Sequence, residues 1–295
     1  MKLSCTIMKL SCTPGKTYWG LALAWYGDYT QGGVADVYES RMNFLEKYGM
    51  KCFMGTPEEI DNLPEKRREK LFEQLETRDM HIILHSDISH ADADEETMKR
   101  KTDEQVNLLS KYIRPCRSDI VTCCANNHRY DRMFPWEERV RRFSRIMAPV
   151  AQLCWEQSSV FSIENHADYY VSDLLDVLRE TPRLYLFLDT ANALHIGERP
   201  IQACIDAAPY VVGTHFKDHR MVRGEKPPLH YEIRGCALGD GDADLELQYK
   251  EIMARSPFRD RLVMMFELFA PEDGSLAPMD CFEKSVAFVQ RLQEG

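Results

Sequence analysis

Short runs of consecutive apolar residues recur along the chain and alternate with longer segments of helical periodicity. Eight such runs occur, at residues 8–12, 51–55, 81–86, 119–125, 160–164, 184–189, 211–215 and 261–267. Their apolar positions are continuous rather than alternating, which is typical of parallel strands that are covered on both faces. The pattern therefore predicts eight buried strands, with residues 8–12 as the first.

The segments between these runs carry apolar residues three and four positions apart, as one buried helix face requires. Val140, Phe143, Ile146, Val150 and Cys154 show this spacing. Strands that alternate with helices form right-handed βαβ crossovers. Eight such units within 295 residues predict one α/β domain, a single (β/α)8 TIM barrel.

An open doubly wound sheet is the competing architecture, and it usually carries a glycine-rich phosphate-binding turn after its first strand. Gly15, Lys16 and Thr17 imitate the end of a P-loop. The glycine that this motif requires five residues before Gly15 is replaced by Leu10. The P-loop interpretation therefore fails, and the barrel is favoured.

The N-terminus contains a short duplication, because MKLSCT occurs at residues 1–6 and again at residues 8–13. Two copies of six residues are too short for a repeat architecture. We expect Met8 to be the working start, residues 1–7 to be an extension and residues 8–295 to form the barrel domain.

Composition limits the kinds of partner that the protein is expected to bind and the cellular compartment in which it is expected. A formal net charge of -10 disfavours nucleic acid and acidic membrane surfaces. The ten cysteines lack a C-x-x-C pair or finger-like spacing, so we expect them to be reduced. No apolar stretch approaches the roughly 20 residues that span a bilayer, and the N-terminus lacks a signal-peptide pattern. These features predict a cytoplasmic protein with a small-molecule ligand.

The last four predicted strands end on side chains that can bind a metal ion: Glu164, Asp189, His215 and Glu267. Active sites of such barrels form at the C-terminal ends of strands, and neighbouring strands lie about 4.8 Å apart. Three converging carboxylates repel one another unless a cation intervenes. One nitrogen and three oxygen donors suit a divalent ion, for which Mn²⁺ is our first choice and Mg²⁺, Co²⁺ or Zn²⁺ are alternatives.

A resemblance to a known family is carried by five segments, SIENHADYY, LFLDTANAL, THFKDH, LGDGDADL and MFELF. They resemble the xylose isomerase-like barrels of the sugar phosphate isomerase/epimerase family. The resemblance implies a (β/α)8 fold and a divalent metal held by Glu164, Asp189, His215 and Glu267. Related apurinic endonucleases carry a histidine where this chain has Asn192, so a DNA repair activity is disfavoured.

The resemblance does not fix the reaction. Our leading interpretation is removal of a proton next to a sugar carbonyl through a metal-stabilised enediolate, followed by isomerisation or epimerisation. Glu164 and Glu267 are the candidate acid and base. His166, which points the same way as Glu164 in an extended chain, is a further catalytic candidate, either as the base or as a hydrogen-bond donor to a substrate hydroxyl. Two alternatives stay open. One is a lyase or dehydratase, such as an inosose dehydratase-like enzyme or one that cleaves 3-keto-glycosides. The other is a non-catalytic sugar-binding barrel or the subunit of a complex.

Further residues at the predicted mouth are candidates for contact with a sugar or sugar-derived substrate: His85, His128, Lys217, Arg223, Trp25, Trp136 and Asn192. Trp25 belongs to an aromatic segment after the first predicted strand, which also contains Tyr18 and Trp19. Aromatic faces stack on the apolar side of sugar rings. Barrels of this size often pair, so a homo-oligomer or a second subunit is compatible with the sequence.

Overall fold

The computed structural model of the protein describes residues 18–22, 36–88, 90–125, 133–224 and 230–294. Strands in these residues are β1 (Tyr18–Leu21), β2 (Cys52–Gly55), β3 (His81–His85), β4 (Ile120–Cys124), β5 (Val160–Glu164), β6 (Leu184–Asp189), β7 (Val211–Phe216), β8 (His219–Arg223), β9 (Tyr231–Gly235) and β10 (Val263–Phe266). Eight of them form a closed parallel barrel in the order β1-β10-β7-β6-β5-β4-β3-β2. The predicted (β/α)8 barrel is confirmed.

Helices surround the barrel and connect its strands. They are α1 (Val37–Tyr48), α2 (Pro57–Asp61), α3 (Glu65–Thr77), α4 (Glu95–Tyr112), α5 (Trp136–Glu156), α6 (Val171–Glu180), α7 (Asn192–His195), α8 (Pro200–Ala207), α9 (Leu245–Arg255) and α10 (Pro278–Glu294). In α1, the side chain of Asp36 accepts hydrogen bonds from the first backbone N–H groups, and Gly49 ends the helix in a left-handed conformation. No helix among the described residues is both long and apolar enough to cross a membrane.

The first strand was predicted at the wrong place. Residues 8–12 lie outside the described residues, and the barrel is closed instead by β1, which pairs with both β10 and β2. Trp19, assigned from the sequence to an aromatic loop, is a fully buried residue of this strand. Its ring packs edge-on against Phe216 and Phe266, each at 5.6 Å between ring centroids. The four-residue strand was missed because its tryptophan and tyrosine suggested a ligand-binding loop.

The barrel separates two apolar cores. The larger core lies between the outer face of the strands and the helices. A smaller cluster contains Met54, Ile83, Phe187 and Met265, residues whose strand positions point into the barrel. The eight cysteines in the described part of the chain are buried free thiols. The interior is therefore packed with side chains, and polar groups are concentrated where its strands end.

A two-stranded antiparallel hairpin, β8–β9, projects from the barrel between β7 and α9. Asp218, directly before β8, accepts hydrogen bonds from the backbone N–H groups of Gly239, Gly241 and Ala243. The backbone N–H of Met221 donates to Asp242 at 2.6 Å. These bonds fix the hairpin on the C-terminal rim of the barrel.

The position of Trp19 generates a stability prediction. Replacement of a fully buried tryptophan by alanine leaves a cavity, so we expect W19A to lower the free energy of unfolding by about 3–5 kcal/mol. Trp155 is 52% exposed and serves as a control, for which we expect a loss below about 1 kcal/mol. Urea denaturation measures both values. If Trp19 instead belonged to a ligand-binding loop, W19A would change ligand affinity and leave the free energy of unfolding nearly constant.

Candidate functional site

The strand register turns four metal-competent side chains toward one point. Partners across parallel strands, and residues two apart in one strand, point to the same face. Glu164 pairs with the residue two positions before Asp189, and Asp189 pairs directly with His215. His215 pairs in turn with Met265, two positions before Glu267. All four side chains consequently face the barrel axis at its C-terminal end.

The contacts within this set are short. Nδ1 of His215 lies 3.0 Å from Glu164 Oε1 and 3.3 Å from Glu267 Oε2. The ammonium of Lys217 lies 2.7 Å from Asp189 Oδ2 and 3.1 Å from Glu267 Oε2. One ligand atom from each of Glu164, Asp189, His215 and Glu267 lies within 4.8 Å of the other three. We call these four residues the donor set.

Backbone and amide groups hold Asp189 in a single orientation. Its Oδ1 accepts hydrogen bonds from the N–H groups of Ala191 and Asn192, both at 2.8 Å. Asn165 brackets the same residue, since its side chain accepts from Asp189 N and donates to Asp189 O. The side chain of Asn192 donates to the carbonyl of Asn165. Oδ2 is therefore the oxygen of Asp189 that faces the donor set.

Burial and mutual charge control the protonation of the site. Burial would raise the pKa of Glu164, but the charge and hydrogen bond of His215, together with the charges of His166 and Lys217, outweigh it and lower the pKa to about 2. Burial would lower the pKa of His215, but Glu164 and Glu267 raise it to about 9. Burial raises the pKa of Asp189 to about 7 against the opposing charge of Lys217. In the metal-free site, the proton on His215 therefore partly neutralises the carboxylates.

The donor set fits a small divalent cation. Ligand atoms bound to such an ion at about 2.1 Å lie roughly 3–4.2 Å apart, close to the separations in this site. With neutral His215, a divalent ion and the Lys217 ammonium together balance the three carboxylates. With protonated His215 and no ion, one negative charge is left over. The chemistry of the donors thus favours an ion in place of the histidine proton.

Two cavities open beside the donor set and share His166 and Glu267 as lining residues. The first, which we call the reaction cavity, measures 470 Å³ and also contains Glu164, His215 and His85. The second, which we call the hairpin cavity, measures 570 Å³ and is lined by Asn192, His195, Lys217, His219, Ile233 and Phe269, among others. Both volumes are typical of small-molecule sites.

Several residues predicted to contact substrate line these cavities. His85 ends β3 and lines the reaction cavity, and burial lowers its pKa. His166 is exposed and lines both cavities. Asn192 and Lys217 line the hairpin cavity. Lys217 was predicted only to contact substrate. In the structure its ammonium also contacts two members of the donor set, Asp189 and Glu267.

The other predicted contacts lie elsewhere. Trp136 begins α5, where its Nε1 donates to Asp176 and its ring packs against Tyr169, and it lines neither cavity. Arg223 is an exposed residue of the hairpin that pairs with Tyr231, and it also lines neither cavity. Trp25 and His128 lie outside the described residues. Substrate contact by these residues stays a prediction.

The sequence analysis did not identify several residues of the site. Cys124 donates its thiol to Glu164 Oε2 at 3.5 Å, and the thioether of Met54 lies 3.0 Å from His215 Nε2. Cys124 ends β4 as Glu164 ends β5, so strand-end position was a usable signal. His195 and His219 hydrogen-bond each other at 3.0 Å. Nothing in the sequence indicated that α7 and the hairpin bring them together.

Comparison with solved structures shows the same architecture. A sugar phosphate isomerase/epimerase from Parabacteroides distasonis aligns over 97% of both chains with 16% identity and a TM-score of 0.64. A xylose isomerase-like TIM barrel protein from Mycobacterium smegmatis, in complex with magnesium, aligns over 95% of this chain and 98% of its own, with 11% identity and a TM-score of 0.68. The 3-keto-D-glucoside 4-epimerase YcjR from E. coli aligns over 94% and 100%, with 11% identity and a TM-score of 0.65. At these identities the likeness concerns the fold.

Comparison at the sequence level gives a short match to one protein and a longer match to a family model. The uncharacterized protein YihM of Escherichia coli (strain K12) is 31% identical over 98 residues, which are 32% of this chain and 29% of that protein. The family model described as xylose isomerase-like TIM barrel matches residues 42–291. This match covers more than half of the chain and includes every residue of the donor set. The chain therefore belongs to the xylose isomerase-like TIM barrel family.

Proposed function

We propose that this protein is a divalent-metal-dependent sugar isomerase or epimerase that removes a proton next to a substrate carbonyl. The observation that carries the proposal is the donor set, whose ligand atoms lie within 4.8 Å of one another beside a cavity of 470 Å³. A bound divalent ion would act as a Lewis acid on the carbonyl and make the neighbouring C–H proton removable. Glu164, Asp189, His215 and Glu267 would hold it.

Two carboxylates of the donor set reach the reaction cavity and can exchange a proton with substrate. Burial would raise the pKa of Glu267, but His215 and Lys217 lower it, so this carboxylate is ionised at neutral pH. Glu267 lines both cavities, which places it beside any carbon held between them. Glu164 lines the reaction cavity on β5. We assign Glu267 the role of the base, and Glu164 would take up a proton from solvent and return it to the substrate carbon, since epimerisation needs one proton removed and one returned.

Two further side chains support this transfer. The Lys217 ammonium, next to Asp189 and Glu267, is a fixed positive charge beside the position where an enediolate oxygen gains charge. His166 is exposed and faces both cavities, so it can hydrogen-bond a hydroxyl or pass a proton to solvent. The roles assigned to Lys217 and His166 require contact with substrate. Asn165 and Asn192 instead act by orienting Asp189.

Solvent exchange tests the proposal directly. The metal-loaded protein is incubated in D2O with ketoses, inositol ketones and 3-keto-glycosides, and deuterium at carbon next to the carbonyl is measured by NMR. We expect incorporation for at least one class, and E267Q should lower its rate about 10²- to 10⁴-fold. E246Q, on the outer helix α9, should stay within about twofold of the unmodified protein. Loss of a β substituent with exchange would identify a lyase, and no exchange at all would favour a binding protein.

Removal of one donor should release the ion. We expect D189N to weaken Mn²⁺ binding by more than about 100-fold, because loss of residues that merely support metal ligands already costs 10- to 100-fold. D168N is the matched control, since Asp168 is also buried but is outside the donor set. Elemental analysis and isothermal titration calorimetry measure both. Equal metal content in the two variants would contradict the assigned ligands.

The raised pKa of His215 predicts that the apparent metal affinity rises with pH. In the metal-free site, His215 carries a proton below about pH 9, and a ligand nitrogen must lose it. We therefore expect affinity for Mn²⁺ to rise by about tenfold per pH unit from pH 7 toward pH 9 and then to level off. Calorimetry in two buffers of different ionisation enthalpy should show release of about one proton per ion at pH 8. An affinity that is flat over this range would exclude His215 as a ligand.

A further inference from the structure

The space beside the donor set exceeds what one sugar ring fills. A hexose displaces on the order of six water molecules of about 30 Å³ each. The reaction cavity of 470 Å³ already accommodates that volume, and the hairpin cavity adds 570 Å³. His166 and Glu267 line both, so the two cavities meet at the reacting position. A substrate could therefore extend from the carbonyl into the hairpin cavity.

The wall of the hairpin cavity combines an apolar face with polar groups. Ile233 of β9 and the half-buried ring of Phe269 provide the apolar face. Asn192, His195 and His219 supply hydrogen-bonding groups around it. An apolar surface ringed by a few polar groups matches a pyranose ring, which has apolar C–H faces and hydroxyls at its edge.

The charges around the hairpin cavity disfavour a phosphate. Lys217 is the one lysine or arginine among the described residues that line it. Its ammonium is already in contact with Asp189 and Glu267. Glu267 and Glu272 line the same cavity and would repel an anion. An uncharged substituent is therefore favoured over a phosphoryl group.

The hairpin is fixed as a wall of this cavity before any ligand binds. A Cβ atom on Gly235 would lie 2.2 Å from the carbonyl oxygen of Phe269, so glycine permits the hairpin to contact the segment after β10. At the same end of the hairpin, where His219 pairs with Gly235, Asp242 N donates to His219 O at 2.8 Å. Because the wall is already held in place, less conformational entropy is lost when a ligand binds.

From these observations we infer that the hairpin cavity is a binding site for a second, uncharged sugar ring, so that the substrate is a glycoside rather than a free monosaccharide or a sugar phosphate. This inference rests on the proposed function for the reacting ring. It assigns the hairpin β8–β9 a role in substrate selection, and Ile233, Phe269 and the His195–His219 pair become its specificity-determining contacts.

The test compares one 3-keto-disaccharide with the corresponding free 3-ketohexose. We expect the metal-loaded protein to show a kcat/KM for deuterium exchange that is at least about tenfold higher for the disaccharide, since the second ring adds contacts. I233W fills the hairpin cavity, and the ratio of the two kcat/KM values should fall toward one, mainly through the KM of the disaccharide. E232W places the same side chain on the opposite face of the same hairpin, because Glu232 precedes Ile233 in β9 and lines neither cavity, and it should keep the ratio of the unmodified protein.

Equilibrium binding of the two unoxidised sugars to the same three proteins separates this inference from the proposed function. A binding preference for the disaccharide that I233W removes and E232W keeps would support the second-ring site, even if no exchange occurs and the proposed chemistry is wrong. Equal binding and equal kcat/KM for both sugars would overturn it. A loss caused equally by I233W and E232W would overturn it as well, because the effect would then not originate in the cavity.

Discussion

Repulsion among three carboxylates at the mouth of the barrel is the constraint around which the site is built. Closure of the barrel brings Glu164, Asp189 and Glu267 within 4.8 Å of one another and of His215. Buried charges at such distances require compensation. The ammonium of Lys217 provides part of it, and either a proton on His215 or a divalent ion provides the rest. Metal binding and protonation are therefore alternatives at the same site.

The surrounding structure keeps these groups in place despite their repulsion. Thr190 accepts a hydrogen bond from Lys217 N at 2.9 Å and donates its hydroxyl to Lys217 O at 2.6 Å. Asn165 makes two hydrogen bonds to the backbone of Asp189, on the neighbouring strand end. Each bond joins two strand ends, so the donors cannot separate without disruption of the barrel rim. These bonds hold the side chains of the donor set in a fixed arrangement.

The donor set and the hairpin cavity are built from different parts of the molecule. The donor set lies on four adjacent strands of the barrel, whereas the hairpin β8–β9 and the segment after β10 form the wall of the second cavity. Loops on a constant barrel can change without loss of the reacting groups, because the strands determine where those groups point. Different substrates within one family can therefore share one set of metal ligands.

The sequence alone determined the barrel class, seven of its eight strands and the positions of four polar side chains at strand ends, because continuous apolar runs and polar residues at their ends are local features. The tertiary structure decided the rest. It placed β1 at Tyr18–Leu21, since strand pairing across the barrel outweighs the composition of a four-residue segment. It also brought Lys217 into contact with the donors and His195 against His219. Such contacts depend on register, helix placement and an inserted hairpin, which are long-range properties that no local pattern of residues records.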